Sequence, residues 1–189
     1  MNQLDDSLLP QRPDFFWLIQ KVYRLIAFGF GSGLAPVAPG TFGTLLAWLL
    51  ALIVQQLPIS LSPIYILLAL LCGLILGIWV CGVSGRDLNQ ADHGGMVWDE
   101  MIAFWLILLF ILPSDFYHQA LAFVLFRFFD AVKPGPISSI DGWFKAWQPD
   151  QQLGSTYILF VRGFGVMIDD LAAALATLWT IAIIQRIFY

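Results

Sequence analysis

Five apolar segments, each close to the length of a membrane-crossing helix, constrain the fold of this chain more than any other feature. They run over residues 41–57, 63–82, 96–113, 116–133 and 171–188. About 20 apolar residues cross a bilayer as an α-helix, and roughly 17 is the lower limit. Charged residues make up 12% of the chain, whereas a soluble domain has about 25%. The sequence therefore predicts an all-α polytopic membrane protein with four or five membrane-embedded helices.

The third and fourth segments are joined by the short turn Pro113-Ser114-Asp115 and are short for full crossings. They either cross with local thinning of the bilayer or form a hairpin that enters and returns. With a cytoplasmic N-terminus, both arrangements bring the polar motifs to one side of the membrane. Of the nine Lys and Arg residues, only Arg186 then lies on the opposite side. This distribution follows the positive-inside rule.

Residues 14–30 mix aromatic and aliphatic side chains with Lys21 and Arg24. Their spacing predicts an N-terminal amphipathic helix on the membrane surface. A helix that docks on the rest of the domain fits the same pattern. The predicted organisation is a polar tail over 1–13 followed by one membrane-embedded domain over 14–189.

The remaining composition limits the class of protein. No basic patch is present, which argues against a nucleic-acid partner. The two cysteines, Cys72 and Cys81, lie in an apolar segment and are interpreted as small core residues rather than a disulfide or zinc site. The expected partner of the protein is therefore a lipid bilayer and not a nucleic acid. The sequence gives no indication of the oligomeric state.

Eight of the thirteen carboxylates lie at the edges of the apolar segments. They are Asp87, Asp92, Asp99, Glu100, Asp130, Asp141, Asp169 and Asp170. A carboxylate beside hydrocarbon is costly unless it is paired, hydrated or bound to a cation. Carboxylates without a His or Cys cluster favour Mg²⁺ or Mn²⁺ over Zn²⁺. The sequence therefore predicts a divalent metal at the membrane surface; the alternative is that the acids pair with nearby Arg and Lys residues and cap helices.

Helix geometry predicts how these acids meet. Asp99 and Asp130 are each about 15 residues from the turn between their segments, so they should lie at the same height. Arg127 should share a helix face with Asp130. The pair 169–170 is predicted to open the last helix, with Asp170 preferred as its N-cap and Asp169 then free to face the site. Neighbouring acids on a helix point about 100° apart, so adjacent pairs should not bind one ion through one face.

The glycine-rich segment, residues 29–44, reads GFGSGLAPVAPGTFGT and precedes the first long apolar helix. Exposed amides at a helix start can receive a phosphate. Ser32, Gly33 and Thr41 are the candidate phosphate-binding residues here, and a pair of turns is the alternative. His93 lies beside Asp92 in a loop, where it serves either as an acid or base or as a hydrogen-bonding bridge.

Four motifs in order, GFGSGLAPVAPGTFGTL, DHGGMVWDE, FRFFDAVKPGPI and GVMIDDLAAAL, together resemble the phosphatidylglycerophosphatase A family of bacterial inner-membrane lipid phosphatases. The match runs from about Phe28 to Ala176. The resemblance implies an all-helical, Mg²⁺-dependent enzyme that removes the terminal phosphate from phosphatidylglycerophosphate to give phosphatidylglycerol. It also implies a multi-pass protein of the inner membrane whose site faces the cytoplasm.

The resemblance marks a set of residues with expected roles. The expected metal ligands are Asp99, Glu100, Asp130, Asp169 and Asp170. The expected catalytic residues are Asp92, His93, Asp99, Glu100, Asp130 and Asp169. Arg127 and Lys133 are expected to bind the substrate phosphate together with Ser32, Gly33 and Thr41, and Asp141 is marked without a role. One departure is an insertion over about 144–162, which is expected to be loop-like.

Two other functions fit the same residues. One is a different Mg²⁺-dependent enzyme acting on a lipid phosphate. The other is a small divalent-cation carrier, because acids within a membrane also mark ion paths. A carrier needs access from both faces, and the far side offers only Asp115. The number of metal ions, and the choice between water attack and a covalent intermediate, stay open at this point.

Overall fold

The computed structural model describes residues 13–58, 62–146 and 154–188, and within these ranges the chain is helical without strands. The elements are α1 (Phe15–Ile19), α2 (Val22–Ala27), a 3-10 segment (Gly29–Leu34), α3 (Pro39–Gln56), α4 (Pro63–Asp87), α5 (Trp98–Ile111), α6 (Phe116–Val132), α7 (Pro136–Ala146) and α8 (Ser155–Phe188). The predicted all-α class is confirmed, and four of the five apolar segments match single helices closely.

Three of these helices, α3, α4 and α8, are long and apolar enough to cross a membrane. The helices α5 and α6 have 14 and 17 residues. At 1.5 Å per residue they extend about 21 and 25 Å, which is less than the roughly 30 Å of a bilayer hydrocarbon core. The two therefore form a short hairpin, and whether it crosses the bilayer or returns stays a prediction.

Helix α5 lies at the centre of the bundle. Met101, Ala103, Phe104 and Ile107 are each completely buried, and α5 packs against α3, α4, α6 and α8. A helix that is apolar on nearly all sides is stable when it is surrounded by other helices or by lipid, and the burial of α5 shows that helices surround it. This position places the first turn of α5, which carries Asp99 and Glu100, inside the bundle.

The prediction of one continuous helix over residues 14–30 is wrong. The chain breaks at Lys21, whose extended backbone begins α2, and a 3-10 segment follows α2. Trp17 and Leu18 are buried in the bundle, whereas Phe16 and Val22 are more than 70% exposed. The N-terminal region is therefore docked on the domain through one side and presents apolar side chains outward on the other.

Asp87, at the end of α4, ties this N-terminal region to the bundle. Arg24 donates to Asp87 Oδ2 from Nε at 3.1 Å and from Nη2 at 2.8 Å. The Tyr23 hydroxyl donates to the same oxygen at 2.6 Å. The Arg24 guanidinium also lies 4.1 Å from the centre of the Trp17 ring, within range of a cation–π contact. Asp87 is therefore a structural ion-pair partner, as the alternative for these acids proposed.

The start of the last helix differs most from the sequence-based expectation. Helix α8 begins at Ser155, so the pair 169–170 lies near its middle and the predicted N-cap role is wrong. The prediction of a loop over 144–162 is also wrong at both ends, because α7 and α8 extend into that range. Residues 147–153 lie outside the described structure.

Two glycines lie where this part of α8 packs most closely on its neighbours. Glycine has a low helix propensity, but it lets helices approach closely. A Cβ on Gly163 would lie 1.8 Å from the Ile78 carbonyl oxygen of α4, and one on Gly165 would lie 2.8 Å from the Phe144 ring of α7. Tight packing against two helices therefore stabilises a helix that its local sequence disfavours.

Candidate active site

Three acids from three helices form the centre of the site. Glu100 of α5, Asp130 of α6 and Asp170 of α8 have carboxylate oxygens within 4.8 Å of one another. We call these three residues the carboxylate cluster. Their convergence confirms that the start of α5 and the end of α6 lie at the same height. It also confirms that the three acidic stretches of the sequence meet at one place.

Arg127 bridges the cluster. Its Nη1 atom lies 3.0 Å from Glu100 Oε1 and 2.9 Å from Asp130 Oδ2. The same nitrogen donates to Thr44 Oγ1 of α3 at 3.3 Å. The predicted shared face of Arg127 and Asp130 is confirmed. One guanidinium therefore joins α3, α5 and α6 around the acids and offsets part of their charge.

The two acids beside the cluster make other contacts. Asp99 is buried, and its Oδ1 accepts the backbone N–H of Glu100 at 3.0 Å. Asp169 is buried and forms an ion pair with Lys133. Lys133 ends α6 in a left-handed conformation with φ of 46°. Adjacent residues on a helix point about 100° apart, and the two pairs of neighbouring acids follow this rule. Glu100 and Asp170 belong to the carboxylate cluster, whereas Asp99 and Asp169 make the other contacts just described.

The charges of these residues fit a divalent cation. Five carboxylates gather here, and the cationic side chains of the described residues that contact them are Arg127 and Lys133. Glu100 Oε2 is buried and has no hydrogen-bond partner among the described residues. An unpaired buried carboxylate oxygen is costly. Since oxygen donors from a few carboxylates are what Mg²⁺ takes, the donor set fits this metal.

The first turn of α3 packs directly on the cluster. A Cβ on Gly40 would lie 1.8 Å from Glu100 Oε1, and Thr44 Oγ1 donates to the Gly40 carbonyl at 2.9 Å. Neither residue was among the predicted site residues. The signal was present as small residues at helical spacing, Gly40, Gly43 and Thr44, which mark a face of α3 that another helix approaches.

The predicted phosphate-binding residues of the glycine-rich segment lie in and after the 3-10 segment. Ser32 Oγ donates to the Gly29 carbonyl at 2.8 Å. Gly33 is buried, and a Cβ there would lie 1.9 Å from the Gly95 carbonyl oxygen. Thr41 is half-buried in the first turn of α3. Gly33 therefore holds this segment against the loop before α5, and the phosphate-binding role of all three residues stays a prediction.

The loop that carries Asp92 and His93 is fixed by the same N-terminal region. The backbone N–H of Gly95 donates to His93 Nδ1 at 3.0 Å, and the His93 ring lies 5.6 Å from that of Phe28. Burial lowers the pKa of His93 below its usual value, and the charge of Asp92 opposes that effect. At pH 7 the ring is neutral, and because Nδ1 accepts, Nε2 carries the proton.

The remaining marked residue, Asp141, lies in α7. Its side chain is outside the described part of the structure. Asp92 is exposed, and its charge lies near enough to interact with that of Asp99. The structure thus brings together Asp99, Glu100, Arg127, Asp130, Lys133, Asp169 and Asp170, with Asp92 at the edge of the group.

Replacing Gly40 with Ala is expected to damage the site. The added methyl group would overlap Glu100 Oε1, so Glu100 must move away from Arg127. We expect at least about a tenfold loss of enzymatic activity, because ligand-positioning changes cost 10–100-fold. The matched control is Gly142→Ala in α7, where a Cβ meets nothing within 4 Å. Equal activities of the two purified variants would contradict the contact between α3 and Glu100.

The fold and the site define a class: an all-helical protein with membrane-length helices and a buried carboxylate cluster suited to phosphate chemistry. Comparison with known proteins makes the class definite. The family model of phosphatidylglycerophosphatase A matches residues 25–149. The chain belongs to this family, and it is therefore an enzyme of the phosphatase class.

Two individual relatives carry the name of the same family. The chain is 36% identical to phosphatidylglycerophosphatase A of Escherichia coli over 80% of this chain and 76% of the relative. It is 35% identical to the Haemophilus influenzae protein of the same name, over 86% and 88% of the two chains. A Bacteroides thetaiotaomicron protein with the provisional name phosphatidylinositol-3-phosphatase is 32% identical over 84% and 91%. No solved structure matches the chain.

Proposed function

We propose that this protein hydrolyses phosphatidylglycerophosphate to phosphatidylglycerol and phosphate in a Mg²⁺-dependent reaction at the cytoplasmic face of the bacterial inner membrane. The observation that carries the proposal is the carboxylate cluster, in which Glu100 Oε2 has no hydrogen-bond partner within the described part of the chain. Membership of the family and the names of two relatives support the substrate. The distribution of Lys and Arg supports the orientation.

Glu100, Asp130 and Asp170 are the residues proposed to hold the metal. Asp99 and Asp169 lie beside them and complete the predicted ligand set, either directly or through water. Mg²⁺ supplies charge neutralisation at the phosphate and a lower pKa of a bound water. The three acids lie on α5 and on two helices that pack against it, α6 and α8, so the ligands are held by rigid elements rather than by loops.

The chain's own residues account for the rest of the reaction. Arg127 and Lys133 provide positive charge for the phosphate oxygens in the transition state. His93 presents an N–H at Nε2 for a phosphate or leaving oxygen. Asp92 accepts the proton of the attacking water. The water oxygen forms a bond to phosphorus, the phosphorus–oxygen bond to the glycerol breaks, and the glycerol oxygen takes the proton that Asp92 received from the water.

The deciding experiment is phosphate release from phosphatidylglycerophosphate by the purified protein in detergent. We expect release with Mg²⁺, its loss in excess chelator, and its return when Mg²⁺ is restored. The lipid product should have the mass of phosphatidylglycerol. Release that continues undiminished in chelator would contradict the metal, and the absence of release from folded protein would contradict the substrate.

A phosphate monoester on another phospholipid is the second candidate. The Bacteroides relative, whose provisional name is phosphatidylinositol-3-phosphatase, is the observation that favours it. Running the same assay with phosphatidylinositol 3-phosphate separates the two, because the proposal expects a much larger kcat/KM for phosphatidylglycerophosphate. The alternative of a divalent-cation carrier is not supported, because the chain belongs to a family of enzymes.

A further inference from the structure

An apolar groove lies between α3, α4 and α5, on the membrane-embedded side of the bundle away from the acids. Its volume is about 450 Å³, within the range of about 300–1,000 Å³ that is typical of ligand sites. Ala51, Ala69, Trp105 and Leu109 are among the residues that line it. Small alanines on α3 and α4 create the space, and the groove is open to the surroundings of two membrane-length helices.

The groove has a defined position relative to the carboxylate cluster. Its near end is at Trp105, whose Nε1 donates to the Ala47 carbonyl at 2.7 Å. Trp105 is five residues after Glu100 on α5, or about 8 Å along the helix, and Leu112 at the far end is about 18 Å away. One leaflet of the bilayer core is about 15 Å deep. The groove therefore occupies the depth at which the acyl chain of a lipid would lie if its phosphate were at the cluster.

Aromatic side chains connect the glycine-rich segment to this groove. Phe30 is 53% exposed and lies edge-to-face with Trp98, with ring centres 6.2 Å apart. Trp98 is in turn edge-to-face with Trp105 at 6.1 Å. Phe30 has a left-handed φ of 56°, which is uncommon for a bulky residue and is found mostly at functional sites. The three rings therefore form a continuous series of contacts from the exposed Phe30, through the buried Trp98, to the near end of the groove.

We propose that this groove binds one acyl chain of the phospholipid substrate, with the contacts of Phe30, Trp98 and Trp105 joining the glycine-rich segment to the near end of the groove. The proposal rests on the proposed function, because it takes the substrate phosphate to lie at the carboxylate cluster. Polar Gln55 and Tyr65 line the groove together with Leu112 near its far end. Because these side chains lie at its far end, the groove is expected to favour acyl chains of limited length.

The test fills the groove and compares two substrates. Ala51→Phe and Ala69→Phe each place a ring in the groove, and Ala182→Phe is the control on α8, where the added ring projects from an exposed position. The substrates are long-chain phosphatidylglycerophosphate and its deacylated, water-soluble counterpart. We expect the groove variants to lose at least tenfold in kcat/KM for the long-chain lipid and to keep the wild-type value for the soluble compound. The control variant should keep both.

The other outcomes are equally informative. Unchanged long-chain activity in both groove variants overturns the proposal. Equal losses on both substrates in both variants also overturn it, since the groove would then serve the packing of the bundle. If the unsubstituted protein hydrolyses neither substrate, the proposed function itself fails, which is a different result.

A binding measurement distinguishes the substrate from bystander lipid. Phosphatidylglycerophosphate with a photoreactive diazirine in its acyl chain is crosslinked to the protein in chelator, and the labelled peptides are identified by mass spectrometry. We expect labels on α3 and α5 residues of the groove that excess unlabelled phosphatidylglycerophosphate removes. Labelling that phosphatidylethanolamine removes equally well would assign the groove to general bilayer lipid and overturn the proposal.

Discussion

Replacing Asp130 with Asn is expected to lower kcat/KM for phosphate release at least about 100-fold while the protein remains folded. Asp130 contributes an oxygen to the carboxylate cluster, and an amide carries no charge with which to hold a divalent cation. Even partners that only support a metal ligand cost 10–100-fold when they are changed, so a ligand should cost at least the upper value. Glu100→Gln and Asp170→Asn should behave alike, because the three residues are proposed to hold the same ion.

The matched control is Asp115→Asn at the far turn. Asp115 is exposed, caps α6 by accepting the His118 backbone N–H at 2.9 Å, and lies at the opposite end of the hairpin. Asn is as good an N-cap as Asp, so both stability and activity should be retained. A second readout is the rise in thermal midpoint on adding Mg²⁺, which should be present in the control and lost in the cluster variants. Full activity of Asp130→Asn would refute the metal assignment.

Replacing Arg127 with Gln is expected to destabilise the protein by about 3 kcal/mol in the absence of divalent cations. The guanidinium lies within 3.0 Å of two acids and is 19% exposed, so its removal leaves adjacent, largely buried carboxylates without compensation. Mg²⁺ should restore much of this loss, because a cation that binds only the folded state stabilises it. Thermal unfolding in detergent, with chelator and then with Mg²⁺, measures both effects.

Arg86→Gln provides the comparison for Arg127. Arg86 is also paired with an acid, Asp87, at 3.4 Å, but its side chain is 59% exposed. Exposed ion pairs contribute at most about 1 kcal/mol, so this variant should unfold close to the wild type and show no particular response to Mg²⁺. If Arg127→Gln is as stable in chelator as Arg86→Gln, the acids of the cluster do not depend on Arg127 for charge compensation.

The apolar segments predicted most of the fold because hydrophobicity over a helix length depends on little besides the local sequence. The expected range 63–82 became α4 (Pro63–Asp87), and 116–133 became α6 (Phe116–Val132). Helix periodicity also predicted that Arg127 and Asp130 share a face. The angle of about 100° between adjacent helical residues predicted that Asp99 and Glu100 would point in different directions. These relations hold within one helix, so one sequence is sufficient to derive them.

What the sequence did not predict depends on contacts between helices. The early part of α8 was predicted to be a loop, but its glycines let α4 and α7 approach closely, and this packing stabilises the helix there. Gly40 and Thr44 join the site because α3 happens to start beside Glu100. Asp170 rather than Asp169 belongs to the cluster because of which side of α8 faces α5 and α6, and no local pattern encodes that side.

The length of α8 has a mechanical consequence for the site. Its 34 residues extend about 51 Å, well beyond the roughly 30 Å hydrocarbon core, and a helix of excess length tilts in the bilayer or protrudes from it. When a rigid rod tilts, its ends travel furthest and its midpoint least. Asp169 and Asp170 lie near that midpoint, so a change in bilayer thickness that swings α8 would move its two ends while leaving the carboxylates close to a fulcrum, in register with those of α5 and α6.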